Sequence, residues 1–166
     1  MKNLLVLLML FNSGLFTGDI QLNDVRLLFQ KSVTDKASCK KLVAVLNQYN
    51  ESNNTTLAAY NACATMTMAN YCLNPFSKLS YFNDGKSLLE KCIIHQSENI
   101  EVRYLRFTVQ SSSPIFLGYN KSIQEDKDFL LNHFSTLNYQ QLKQMIISFL
   151  KSSEYLSLSE KQTLKS

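Results

Sequence analysis

Apolar residues recur every three or four positions along residues 77–110, and this spacing constrains the fold more than any other feature of the chain. The first half of the stretch predicts a helix with one buried face, because residues at these intervals lie on the same side of a helix. Its apolar positions are Leu79, Phe82, Gly85, Leu88, Leu89, Cys92 and Ile93. A polar segment follows, and Asn99 and Glu101 then mark a second helix start, where a capping asparagine and a first-turn acid are both favourable. Two helices joined by so short a link are expected to pack antiparallel.

The scarcity of turn residues indicates that the rest of the chain is helical as well. Only four glycines and two prolines occur in 166 residues, whereas a β-sandwich or barrel needs a turn every few residues. Hydrophobic residues make up 45% and charged residues 18%, which is ordinary for a single globular domain. We therefore predict an all-α protein of seven to eight helices, arranged as an array of antiparallel helix hairpins.

Helical spacing also runs through residues 22–33, 35–49 and 56–73, and it returns in three predicted helices of the C-terminal third. The 56–73 helix is rich in alanine, cysteine and methionine. Such small and soft side chains let neighbouring helices approach closely, so we predict that this helix is the most buried. Two segments fit the capping-box pattern and one is a near relative, and they are Ser122–Glu125, Ser157–Glu160 and Asn138–Gln141.

The first eleven residues have the layout of a secretory signal. Lys2 precedes an apolar run from Leu4 to Phe11, which is too short to span a bilayer as a helix. We expect a signal peptide over residues 1–18 and one all-α domain over residues 19–166, with the mature protein in the periplasm or secreted and without a membrane span. The alternative is that this run forms an ordinary buried first helix.

No motif for catalysis, metal binding or nucleotide binding is present. The two histidines, His95 and His133, are not spaced to place two metal ligands on one helical face, and each is interpreted as a helix-end or surface residue. The acids at residues 125–128 are interpreted as first-turn residues of a helix. The net charge of +4 is spread along the chain without a basic stripe, so nucleic-acid binding is not expected. The sequence therefore predicts neither a cofactor nor an enzymatic activity.

Each of the four cysteines falls within a predicted helix. These residues are Cys39, Cys63, Cys72 and Cys92. One or two disulfides would suit an exported protein, but free cysteine also packs as a small apolar residue. Buried free thiols are the preferred interpretation.

The stretch from Ser77 to Phe107 resembles a junction between two tetratricopeptide repeats. Gly85, Leu89 and Cys92 stand where the second helix of a repeat has small, large and small residues, and NIEVRYL resembles the start of the next repeat. The resemblance covers about a third of the chain. It implies an α-solenoid that binds a protein or peptide partner on a concave face. In its overall texture the chain also resembles small exported helical proteins of Bacteroidota-type bacteria.

The candidate binding residues for such a face are Arg103, Arg106, Tyr104 and Tyr119. Arg103 and Arg106 lie three residues apart, and two guanidinium groups on one helical face can clamp a carboxylate, a phosphate or an acidic stretch of a partner. The interpretation that we prefer for these two residues, however, is that both arginines pair with acids from neighbouring helices.

Residues 114–119, PIFLGY, form an apolar loop, although loops are usually polar. The loop is expected either to fold back onto the core or to line a ligand site or partner surface. We expect a protein- or peptide-binding module of the cell envelope, for which a homodimer is possible. The alternatives are a small-ligand-binding protein or enzyme with a pocket under this loop, and a purely structural envelope component.

Overall fold

The computed structural model describes residues 20–164, and this part of the chain is helical and contains no strand. Its eight α-helices are α1 (Leu22–Ser32), α2 (Lys36–Leu46), α3 (Thr55–Met68), α4 (Pro75–His95), α5 (Ile100–Ser112), α6 (Ile123–His133), α7 (Gln140–Ser152) and α8 (Leu158–Thr163). Short 3-10 turns span Ala69–Tyr71, Ile115–Leu117 and Phe134–Thr136. The predicted all-α class is confirmed. The predicted signal peptide, residues 1–18, lies outside the described residues.

α3 is the central helix, as its composition predicted. It packs against α1, α2, α4 and α5, and eleven of its fourteen residues are buried. The contact with α4 is close because Gly85 has no side chain. A Cβ atom at this position would lie 2.4 Å from the carbonyl oxygen of Ala62 and 2.6 Å from Cγ of Met66. Gly85 therefore sets how closely α3 and α4 can approach.

Local sequence signals place several helix ends correctly. Asn54 caps α3 by accepting a hydrogen bond from the N–H of Leu57, and Asn99 caps α5. The predicted capping box of α8 is present, because Ser157 and Glu160 each accept from the other's backbone N–H. These ends are fixed by contacts within a few residues, which is why the sequence reveals them.

Two other predicted caps are wrong. Ser122 makes no side-chain hydrogen bond at the start of α6, and the side chain of Glu125 contacts Arg103 instead of closing a capping box. α7 begins after Tyr139 without a side-chain cap, so Asn138 does not cap it. Because the side chain of Glu125 binds the distant Arg103, it does not close a capping box with Ser122.

All four cysteines are free thiols, as preferred, and all but the half-buried Cys72 are buried. Burial raises the pKa of Cys39 to about 11 and that of Cys92 to about 12, because a thiolate is poorly solvated there. These thiols pack as apolar groups. Over residues 20–164, no helix is both long and apolar enough to cross a bilayer.

Candidate functional site

The two arginines singled out from the sequence lie in a buried ionic cluster between α5 and α6. The fully buried carboxylate of Asp126 accepts a hydrogen bond from Nη1 of Arg103 at 2.8 Å, and from Nε and Nη2 of Arg106 at 2.7 and 2.8 Å. The bidentate pairing of Arg106 is the geometry in which guanidinium and carboxylate bind most strongly. The preferred interpretation, that both arginines pair with acids of neighbouring helices, is therefore confirmed. Asp126 does lie in the first turn of α6, but its main contacts are with α5.

Two glutamates and a tyrosine complete this cluster, which we call the Asp126 cluster. Glu125 is largely exposed and contacts Arg103, while Glu90 of α4 contacts Nη1 of Arg106 at 3.4 Å. Glu90 also accepts a hydrogen bond from the hydroxyl of Tyr119. Neither guanidinium is left without a carboxylate, so the cost of burying the arginines is offset within the molecule.

The environment of the cluster fixes the charge states of its two arginines and its tyrosine. Burial on its own lowers the pKa of Arg103 and Arg106, but the hydrogen bonds that they donate to the carboxylates, together with the negative charges, outweigh burial and raise both pKa values. The pKa of Tyr119 is raised by burial and by its hydrogen bond to Glu90. The two arginines therefore stay charged and Tyr119 stays neutral across physiological pH.

A second buried ion pair joins the start of α5 to α1. Arg26 donates from Nε and Nη2 to the two carboxylate oxygens of Glu101, each at 2.7 Å, and the hydroxyl of Tyr60 donates to the same carboxylate at 2.7 Å. The ring of Tyr60 packs edge-on against Phe29. This pair also leaves no charged group without a partner, because Arg26 of α1 and Glu101 of α5 bind each other.

All four candidate binding residues are buried. Arg103 donates additionally to the carbonyl of Ser97 and lies over the ring of Phe129. Tyr119 packs edge-on against Phe82. In this structure the two guanidinium groups are therefore occupied by the protein's own acceptors, and their role in binding a partner stays a prediction. Of the four, Tyr104 borders the cavity described next.

An apolar cleft of about 960 Å³ opens beneath the 114–117 segment, at the end of the molecule where α5 stops. Its walls come from the ends of α1, α3, α4 and α5, from one face of α7, and from the loop residues Pro114, Phe116 and Leu117. The lining is largely apolar, with several serine and threonine hydroxyls. It contains one charged residue, Lys78.

Exposed apolar side chains lie in the lining of the cleft or next to lining residues in the chain. Phe116 is 86% exposed and Leu79 is 49% exposed, and both line the cleft. Phe76, beside the lining residue Pro75, is 84% exposed, and Ile115 is exposed next to Phe116. We call these four residues, Phe76, Leu79, Ile115 and Phe116, the apolar rim. Exposed apolar residues gathered at a cleft are typical of binding surfaces, whereas single ones are ordinary.

The 114–119 loop combines the two predicted outcomes. Tyr119 is buried in the Asp126 cluster and Leu117 is half-buried, whereas Ile115 and Phe116 face outward. Gly118 joins the two parts, with a φ of 61° that a glycine adopts without strain. The loop therefore folds back onto the core at one end and borders the cleft at the other.

The cleft lining offers little for acid–base or nucleophilic chemistry. It contains no aspartate, glutamate, histidine or arginine. The thiol of Cys63 borders it, but burial raises the pKa of that thiol far above its usual value, so the reactive thiolate is disfavoured. His95 and His133 lie in the last turns of α4 and α6, as predicted, and neither lines the cleft. Within residues 20–164, no three His, Cys, Asp or Glu side chains come close enough together to hold a metal ion.

Comparisons with protein-family models, with curated proteins and with solved structures find no match to this chain. The resemblance to tetratricopeptide repeats therefore stays a prediction that rests on the residues given above.

The sequence indicated the side of the cleft formed by the apolar loop at residues 114–119. It did not indicate the side formed by the start of α4. The spacing places Leu79 on the buried face of its helix, which is wrong, because Leu79 lines the open cleft and is 49% exposed. The exposed Phe76, two residues after Asn74 at the helix start, was the overlooked sign that this end of α4 is not covered.

Proposed function

We propose that this protein is a binding module and that its site is the apolar cleft beneath the 114–119 loop. The observation that carries the proposal is the cleft itself, an apolar space of about 960 Å³ walled by five helices. Sites for small organic ligands commonly occupy about 300–1,000 Å³ and are lined mainly by apolar side chains with a few polar groups. The cleft fits this description in both size and lining.

The apolar rim gives the energetic reason for binding. Phe76 and Phe116 expose most of their surface to water, and a ligand that covers apolar surface gains about 25 cal/mol for each square ångström removed from water. A ligand in the cleft would cover Phe116 and Leu79 directly, because both line it. Binding rather than catalysis is proposed because the lining lacks an acid, a base and an activated nucleophile in contact with one another.

The proposal is tested with an uncharged apolar fluorophore, N-phenyl-1-naphthylamine, whose emission rises in apolar surroundings. Ser148 is exposed on the α7 wall, so Ser148→Trp adds bulk to the cleft without removing a buried contact. Ser87→Trp is the matched control, because Ser87 is also an exposed helical serine but lies outside the lining.

We expect saturable binding to the unmodified protein and to Ser87→Trp. For Ser148→Trp we expect about tenfold weaker binding, a loss of about 1.4 kcal/mol, at unchanged helicity by circular dichroism. Absence of saturable binding to the unmodified protein, or equal binding by the two variants, would overturn the proposal.

A protein or peptide partner in the cell envelope is the second candidate, and the apolar rim favours it. An apolar cleft edged by exposed aromatic residues also suits the apolar face of a partner helix. Capture of an envelope protein by the mature chain should then be lost in Phe76→Ser/Phe116→Ser and kept in Ile94→Ser/Leu158→Ser. The control pair removes two similarly exposed apolar residues that neither line the cleft nor adjoin a lining residue in the chain. Capture that survives the first pair of changes would exclude the rim as the partner site.

A further inference from the structure

Lys78 is the only charged residue in the lining of the cleft, and its side chain is exposed. Its ammonium group has no ion pair or hydrogen bond with the residues that the structure describes. By contrast, Lys127 pairs with Glu160 at 2.8 Å, and Lys36 donates to the carbonyl of Tyr71 at 3.3 Å. Lys78 thus places an uncompensated positive charge at an otherwise apolar site.

The start of α4 adds to this positive potential. Pro75 and Lys78 both lie in the first turn or just after it, and both line the cleft. The N-terminal end of a helix carries partial positive charge, which first-turn acids usually offset. α4, a helix of 21 residues, has no such acid, and neither do α2, α3 and α7, whereas α1, α5, α6 and α8 each have one. A lysine near this end is electrostatically unfavourable unless an anion is present.

We propose that the cleft takes a single-chain amphiphile with an anionic head group, such as a carboxylate, whose apolar chain fills the cleft while its head pairs with Lys78. This inference rests on the proposed function, because it names the class of ligand for the same site. The apolar lining accounts for the chain, and the charge of Lys78 at the start of α4 accounts for the head group. A cationic head group would meet only repulsion there, since the lining contains no acid.

The test measures displacement of the same uncharged fluorophore by decanoate, decanol and decyltrimethylammonium, each at neutral pH and below its aggregation concentration. The three compounds share a chain and differ in head-group charge. Lys78→Met removes the cation and keeps the length of the side chain. Lys91→Met is the matched control, because Lys91 is exposed on the same helix but lies outside the cleft.

Decanoate should displace the fluorophore at a concentration roughly three- to tenfold lower than decanol, in keeping with one partly exposed charged contact. The cationic compound should be the weakest of the three. The preference for decanoate should disappear in Lys78→Met, persist in Lys91→Met, and shrink as salt screens the contact.

The possible failures are distinguishable. If the fluorophore binds but decanoate and decanol displace it equally, or if Lys78→Met keeps the preference, the head-group inference is overturned and the proposed function stands. If neither the fluorophore nor any of the three compounds binds, the proposed function fails as well. Displacement by an uncharged amphipathic helical peptide but by none of the three amphiphiles would overturn the inference in favour of a peptide partner.

Discussion

The charged side chains in the first half of α5 are buried and paired, whereas its second half borders an open apolar cleft. Glu101, Arg103 and Arg106 each meet an oppositely charged group on another helix. Thr108 and Val109, a few residues further on, line the cleft together with the end of the helix. The first half holds helices together through satisfied charges, and the second half leaves apolar surface that a ligand can cover.

The contrast bears on how a candidate site is recognised. Two neighbouring arginines attract attention in a sequence, but a guanidinium that already has its carboxylate gains little from a ligand, because the new contact must replace an existing one. An apolar wall without a covering element gains free energy from each ligand atom that displaces water. Four predictions test the difference between the paired region and the open one, in order of decreasing effect.

The largest effect is expected from Asp126→Ala. This change leaves Arg103 and Arg106 buried with only partly exposed carboxylates for partners, and removal of one side of a buried ion pair costs about 3–5 kcal/mol. The free energy of unfolding in urea measures the effect. Asp128→Ala, on the exposed face of the same helix, should change it by less than about 0.5 kcal/mol. Comparable small losses in both variants would contradict the structural role of the Asp126 cluster.

The second-largest effect is expected from Gly85→Ala, which should lower the free energy of unfolding by about 1–3 kcal/mol. The added Cβ would lie 2.4 Å from a backbone oxygen of α3, so the two helices must move apart. The higher helix propensity of alanine offsets part of this cost. Thermal unfolding compared with Ser87→Ala on the same helix separates the two contributions. A higher melting temperature for Gly85→Ala would show that the α3–α4 contact is looser than described.

In the open region, Phe116→Ser should leave stability nearly unchanged, within about 0.5 kcal/mol, because its side chain is 86% exposed. The same change should weaken binding of the uncharged fluorophore, because Phe116 lines the cleft. Ile94→Ser, at a residue equally exposed but distant from the cleft lining, should alter neither quantity. A loss of stability without a loss of binding would mean that Phe116 serves the core and not the site.

The smallest effect is expected when low pH breaks the ion pair between Lys127 of α6 and Glu160 of α8. The hydrogen bond from Lys127 and those at Ser157 lower the pKa of Glu160 from its usual 4.5 to about 2. A lowered folded-state pKa means that the stabilisation is fully present above pH 4.5 and is lost as the pH falls towards 2. An NMR titration of the Glu160 carboxyl should give a midpoint near 2. A midpoint near 4.5, unchanged in Lys127→Met, would show that the pair does not form in solution.

The sequence was informative where structure depends on nearby residues. The helix starts at Asn54, Asn99 and Ser157 depend on contacts that span two or three positions, and each was predicted correctly. The capping box predicted at Ser122 failed because Glu125 contacts Arg103, a residue 22 positions away. A pattern of neighbouring residues does not reveal a contact with so distant a residue.

The cleft could be predicted only in part, for the same reason. The apolar loop at residues 114–119 pointed to one wall, but the volume depends on how five helix segments end relative to one another. Leu79 has the spacing of a core residue, but it lines the open cleft and is half-exposed. The burial of Arg103 and Arg106 likewise depends on α6, which follows them by more than ten residues.

The side chain of Glu90 links the 114–119 loop to the buried Asp126 cluster. One oxygen of its carboxylate accepts from Tyr119 at the fixed end of the loop, and the other contacts Arg106 in the Asp126 cluster. A movement of the loop that withdrew Tyr119 would leave this carboxylate with a single partner. If a ligand in the cleft holds the loop in place, Tyr119 keeps its acceptor, and such a ligand should therefore raise the melting temperature of the domain.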